Sequence, residues 1–237
     1  MIMKFYLNAL FKEIENSITL EEIFPFADLT DFEAKGKNGE VVIKGGVKHF
    51  KAEKIVKIAY GNYTMTGVEI NGLSIIPQDN YDLPIFACNL SHTPKGINMD
   101  VDFYGVKDPV VNYDYLEKYF NPLKETYDEF LSMNNVERLE SDFFWSRTMR
   151  SPYWIKGLCP ADKSEEFINL SFKRLKLWLE MYKKAEPIDD DDEITLIKRR
   201  KEMIRKITAE GDPGKARYFD KILEDKNIIQ RITDAMI

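Results

Sequence analysis

From about residue 29 to residue 104 the hydrophobic pattern has a period of two. It is carried by Glu40-Val41-Val42-Ile43-Lys44, by the run from Phe50 to Tyr60 and by the run from Tyr63 to Ile76. Turns such as Lys37-Asn38-Gly39 and Gly61-Asn62 are too short to hold a crossover helix, so successive strands must be antiparallel. A helical period brackets this meander. Before it, Leu7, Leu10, Phe11, Ile14 and Ile18 fall on one face of a helix between Phe5 and Ile18. After Pro109, Tyr115, Leu116, Tyr119 and Phe120 form one helical face, and a new start at Pro122 carries Leu123, Tyr127, Phe130 and Leu131.

Two aromatic runs, Phe143 to Arg147 and Tyr153 to Lys156, flank Ser151-Pro152 and read as a strand pair that rejoins the sheet. A long helix then shows Ile168, Leu175, Trp178, Leu179 and Tyr182 as a stripe. The acidic run Asp189 to Glu193 is a solvated linker that opens the next helix, and Gly211-Asp212-Pro213-Gly214 breaks the helical C-terminal third. Helix, meander, helices, two strands, helices: this order predicts an α+β fold, a three-layer α/β/α sandwich around a central antiparallel sheet, in one domain spanning 1–237.

Several function classes fall away. With 34 Lys plus Arg against 40 Asp plus Glu, the net charge of −6 provides no overall basic field for nucleic acid or an anionic membrane. No apolar run is long enough for a membrane span, and Met1 to Tyr6 lacks a signal-peptide pattern, so the expectation is a cytoplasmic monomer. Cys88 and Cys159 cannot build a disulfide framework, and with His49 and His92 they make a poor zinc set. No phosphate loop, dinucleotide fingerprint or nucleophile elbow is present. Asp100-x-Asp102-x-x-Gly105 fails as a calcium loop, because Val111 stands where a bidentate Glu is required.

The chemistry concentrates on one strand. Ile97, Met99, Val101 and Phe103 face one way and Asn98, Asp100, Asp102 and Tyr104 the other, so two carboxylates share a face at a spacing of roughly 6.5–7 Å. If helices cover that face, desolvation and like charge both raise a carboxyl pKa, which is what a general acid at neutral pH requires. If the face is exposed, these are ordinary solvated aspartates. Asp212 before Pro213 reads as a helix N-cap, and Arg147, Arg150 and Lys156 either clamp carboxylates or reach to solvent.

Pro77 to Leu90, with Tyr81-Asp82-Leu83-Pro84-Ile85-Phe86 at its centre and a strand ending in Asp102 after it, resembles the ferredoxin-dependent bilin reductases. His49 to Lys57, Ser151 to Lys156, and Arg199 through Arg217 follow the family's order, so the resemblance covers roughly residues 40 to 237. It implies a linear tetrapyrrole held between the sheet and the C-terminal helices. Electrons would come singly from ferredoxin or flavodoxin by a radical mechanism, with no bound flavin, nicotinamide or metal.

By the same resemblance Asp102 matches the proton-donating aspartate, Asp100 is its alternative under a one-residue shift, and Asp212 matches a second aspartate on the opposite side of the bilin. Arg147 and Lys156 fall near propionate-binding positions. Apart from the resemblance, Trp154 is a stacking candidate for the bilin rings, and Asn98 and Tyr104, on the aspartate face of the strand, complete the candidate substrate-binding set. This sequence departs from the family at Asn71, Gly72, Leu73 and Ser74, where several members carry a histidine and an acid, and at Asn89 and Gly211. The two-aspartate type of reductase therefore fits better than the histidine-using type. A red chlorophyll catabolite reductase-like enzyme and a non-catalytic tetrapyrrole carrier on the same scaffold remain as alternatives. For an acidic ferredoxin, the basic clusters Lys173-Arg174-x-Lys176, Lys183-Lys184 and Lys198 to Lys201 are the docking candidates.

Overall fold

The computed structural model describes residues 2–140, 144–210 and 219–237. Its frame is an antiparallel sheet built from β1 (Glu21–Ile23), β2 (Phe32–Lys35), β3 (Val41–Ala52), β4 (Ile55–Met65), β5 (Val68–Pro77), β6 (Ile85–Thr93), β7 (Gly96–Tyr104), β8 (Glu137–Arg138) and β9 (Ile155–Cys159). Among the described residues the strands run β1-β3-β4-β5-β6-β7-β9-β8, with β2 on another stretch of β3. The core of this order is a simple meander, as turns too short for crossovers require.

Of the two expected turns, Lys37-Asn38-Gly39 does join β2 to β3, with the Gly39 N–H donating to Gly36 O at 2.8 Å, and the other falls elsewhere. Gly61-Asn62 lies inside β4, and the chain instead reverses at Glu53-Lys54 and at Thr66-Gly67. Thr66 (φ 48°) and Gly67 (φ 81°) both adopt the positive φ that a two-residue hairpin matching the strand twist demands. Gly61 has a different reason to be glycine. It pairs across the ladder with Gly72, and a Cβ on either residue would stand 2.7 Å from Met236. The two glycines form a dent in the sheet rather than a turn.

On one face lie α1 (Ile2–Ser17), α2 (Lys124–Ser132) and α3 (Glu165–Lys184). Leu7, Leu10 and Ile14 of α1 and Phe167, Ile168, Leu175, Trp178 and Leu179 of α3 are buried there against Leu73, Ile75, Phe86, Met99, Val101 and Phe103. The helical stripe of period 3.6 and the strand stripe of period two thus meet in one core. Leu131, expected on the apolar face of α2, is exposed, because α2 contacts α3 through Phe130 and Thr126 instead. The other face carries α5 (Ile228–Met236), beside which α4 (Asp191–Glu210) packs. Asp190 Oδ1 accepts from the N–H groups of Asp192 (2.9 Å) and Glu193 (3.0 Å), so the acidic run caps α4 as its position suggests. No helix among the described residues is long and apolar enough to cross a membrane.

The expected aromatic strand pair is half present. Ile155–Cys159 is β9, but Phe144–Met149 is a 3-10 turn and Phe143 lies outside the described residues. Backbone bonds from Arg150 N to Arg147 O (3.1 Å) and from Trp154 N to Ser151 O (3.3 Å) curl the chain around Ser151-Pro152. High β-propensity is overridden here by tight local turns. The curl delivers Arg150, Ser151 and Trp154 to the polar face of β7.

Candidate active site on the polar face of β7

Antiparallel pairing makes directly opposed residues share a face, so two cross-strand rows can be traced over the sheet under α5. One row runs His49, Ala59, Ser74, Ala87, Asp102, and the next runs Val47, Gly61, Gly72, Asn89, Asp100, Lys156. The two aspartates therefore stand side by side where helices and the 144–154 curl cover the sheet.

Asp102 is completely buried. Its Oδ1 accepts from the Phe103 N–H (2.9 Å) and the Ser151 hydroxyl (2.5 Å), and its Oδ2 accepts from the Ser151 N–H (3.0 Å). Removal from water outweighs those hydrogen bonds and the nearby Arg150 and Arg174 charges, and raises the carboxyl pKa to about 6. A dry carboxylic acid that keeps its proton close to neutral pH is the outcome.

Asp100 has a different environment. Arg150 Nη1 and Nη2 approach its two oxygens at 3.1 and 3.4 Å, and Trp154 Nε1 donates to Oδ1 at 2.8 Å. Arg150 also donates to the Tyr104 hydroxyl at 2.6 Å. Its guanidinium lies 5.0 Å from the Tyr104 ring centre and 4.5 Å from that of Trp154, a stacked geometry available to a planar cation. Burial pushes the Tyr104 phenol far above its usual range. Below the strand, the fully buried Arg174 of α3 donates to Val101 O (3.1 Å) and Thr126 Oγ1 (3.1 Å), and also to Tyr153 O. Burial lowers the Arg174 pKa to about 10.

Between this face and α5 lies a cavity of about 220 Å³, bordered by Asp100, Tyr104, Arg150, Asn89, Ser74 and Met236. Asp102 itself does not border the cavity; its cross-strand partner Ala87 and its strand neighbours Asp100 and Tyr104 do, and Ser151 caps the carboxyl. The site thus combines an acid with a transferable proton, a cation stacked between aromatics and a partly apolar cavity.

Of the residues singled out from sequence, Asp100, Asp102, Tyr104 and Trp154 converge here. Lys156 opposes Asp100 across the ladder, with its ammonium 5.6 Å from the Trp154 ring centre. Asn98 continues the same face, and its Oδ1 is buried without a hydrogen-bond partner among the described residues. Arg147 is half exposed and ion-paired with Glu140 at 2.5 Å, so Arg150 occupies the place at the aspartates. Asp212 lies outside the described residues, and Tyr153 turns its ring edge-on to Tyr127 of α2. Sequence reading passed over Ser151, whose neighbour Pro152 marked only a break.

The basic clusters also change character. Arg174 is internal, and Lys201 is buried with its ammonium on Pro77 O (2.9 Å), Gln78 O (2.9 Å) and Asp79 (3.1 Å). Neither is available to a partner. Lys173, Lys176, Lys183 and Lys184 of the first two clusters are exposed on α3, and Lys198 and Arg199 of the third are exposed on α4, where Arg205 and Lys206, outside the candidate clusters, extend the same basic face.

A family profile described as ferredoxin-dependent bilin reductase matches residues 7–226. Among solved structures, the crystal structure of phytochromobilin synthase from tomato in complex with biliverdin superposes with a TM-score of 0.78 at 17% identity, covering 97% of this chain and 80% of that one. No curated protein matches the sequence.

Proposed function

The chain belongs to the ferredoxin-dependent bilin reductase family, and from that premise we propose that it reduces an open-chain tetrapyrrole with single electrons from ferredoxin and protons drawn from Asp102. The observation that carries this reading is a fully buried carboxyl raised to about 6, placed beside a cavity on the face of the sheet that α5 covers. Saturating a double bond of a bilin consumes an electron pair and matching protons. A donor that releases electrons singly brings no hydride, so the protons must come from the protein or from water it admits.

Asp102 supplies such a proton without a solvent path. In the resting protein the Ser151 hydroxyl donates to Asp102 Oδ1; handing the Asp102 proton on through this hydroxyl requires that hydrogen bond to reverse, with Asp102 donating to Ser151 Oγ while the hydroxyl gives up its own proton. Arg150 and Asp100 form the adjoining wall. The exposed basic face of α4, with Lys198, Arg199, Arg205 and Lys206, suits an acidic ferredoxin. The resemblance of the fold to a biliverdin-bound enzyme supports biliverdin as the first substrate to test.

Anaerobic mixing of the protein with biliverdin, reduced ferredoxin and a regenerating system will give a visible spectrum that changes with time to that of a reduced bilin. Stoichiometric binding with a spectrum that stays constant would identify a tetrapyrrole carrier instead of an enzyme.

A further inference from the structure

Helix α5 ends inside the site. His49 Nε2 lies 2.9 Å from Ala235 O, and since a carbonyl only accepts, this nitrogen carries the hydrogen. Lys57 Nζ donates to Asp234 O (3.1 Å) and Ala235 O (3.3 Å), and Ser74 Oγ donates to Met236 O. The last carbonyls of a helix are unsatisfied and electronegative, which explains why these three donors gather there. The Met236 side chain sits in the dent made by Gly61 and Gly72.

These contacts lie on the rows that lead to the aspartates. His49 and Ser74 belong to the row that reaches Asp102, and Gly61 and Gly72 to the row that reaches Asp100. The end of α5 therefore lies on the same surface of the sheet as the proposed proton donor. What remains open beside it is a cavity of about 220 Å³. Drug-sized ligands occupy pockets of roughly 300–1,000 Å³, and a linear tetrapyrrole belongs in the upper part of that range. The cavity holds only a fraction of such a molecule.

We propose that His49, Lys57 and Ser74 are bilin-binding residues whose acceptors in the resting protein are the carbonyls of the last turn of α5, which the substrate displaces. The inference rests on the bilin reductase reading above. Displacement exchanges like for like, because the lactam carbonyls and propionate carboxylates of a bilin are acceptors just as the helix carbonyls are. Burial lowers the Lys57 pKa to about 8, so an incoming carboxylate also stabilises its charged form. Met236 is the apolar counterpart, an unbranched side chain resting on glycines and easily withdrawn. A site closed in this way binds with an affinity reduced by the fraction of molecules in which the helix end is withdrawn.

Stopped-flow absorbance with biliverdin tests the proposal on the intact chain, on Met236→Ala and on a variant lacking residues 234–237. The deletion should raise the association rate about tenfold. Met236→Ala, which keeps the helix backbone and its carbonyl contacts and so preserves the fold, should raise it several-fold. Lys57→Met introduced into the deletion variant should then weaken biliverdin binding about tenfold, since there it can act only on the ligand. Unchanged or slower association in both α5 variants, with the intact chain binding, overturns the displacement and leaves the bilin reading standing. Unchanged affinity on losing Lys57 in the deletion variant removes it from the binding set. Absence of biliverdin binding by every variant overturns both this inference and the reading on which it rests.

Discussion

Replacing Asp102 with asparagine will lower the rate of bilin reduction by about 10²–10⁴-fold, the usual contribution of a positioned general acid, while biliverdin binding stays nearly unchanged. The amide has the shape of the acid but no acidic proton, so the reaction will stop at a one-electron-reduced bilin radical, visible by electron paramagnetic resonance. The same substitution makes a second, thermodynamic signature. A carboxyl raised from 3.8 to about 6 in the folded protein binds more protons folded than unfolded between those values. Stability therefore falls as pH rises through that window, by about 3 kcal/mol in total for a shift of this size. The substituted amide does not titrate. The stability of the variant relative to wild type should improve by about that amount between pH 4 and pH 7, since all other groups cancel in the comparison. Full activity in a folded variant, or a relative stability independent of pH, would separate Asp102 from proton delivery.

The second large effect is expected at Arg174. Methionine fills a similar volume but leaves Val101 O, Tyr153 O and Thr126 Oγ1 without the donor they now share. Each buried polar group deprived of its partner costs about 1–3 kcal/mol, offset in part because a buried charge is also removed. A net loss of about 2–4 kcal/mol follows, or a melting temperature lower by roughly 5–15 °C for a chain of this size. Lys173 next to it is ion-paired with Glu129 at the surface, with both side chains at least one-third exposed, and Lys173→Met should change stability by less than about 1 kcal/mol. Equal effects at the two positions would contradict the burial of Arg174. Arg174 also depresses the Asp102 pKa, so in its absence the Asp102 titration should move upward.

Much of this architecture is legible in the sequence because it rests on period. Alternation from Ile97 to Tyr104 placed Met99, Val101 and Phe103 in the core and the two aspartates on the opposite face, and the structure buries Asp102 completely. The stripe from Ile168 to Tyr182 likewise packs as one helix face. Where periodicity is silent, reading fails. Gly61-Asn62 carries a turn signature, yet the glycine answers to Met236, a residue 175 positions away in the numbering. The aromatic run has strand composition, but its described part, from residue 144 on, is a 3-10 turn followed by a curl hydrogen-bonded around Ser151-Pro152. That curl is what brings Arg150 rather than Arg147 to Asp100, a distinction of three residues that no local pattern encodes. Lys201 and Arg174 look like surface charges for the same reason. Their burial is decided by backbone carbonyls of β5 and β7, which a one-dimensional reading cannot place.

The measurement that bears most directly on the proposed chemistry is the titration of the Asp102 carboxyl in the free protein, followed by isotope-edited infrared difference spectroscopy against the Asp102→Asn variant. Burial should dominate, so a protonated-acid carbonyl band assigned to Asp102 will persist at pH 5 and disappear with a midpoint near 6. A carboxylate already ionised at pH 4 would mean that the Ser151 and Phe103 hydrogen bonds prevail over desolvation. Asp102 would then have no proton to give near neutrality, and the account of how this chain protonates a bilin would fail.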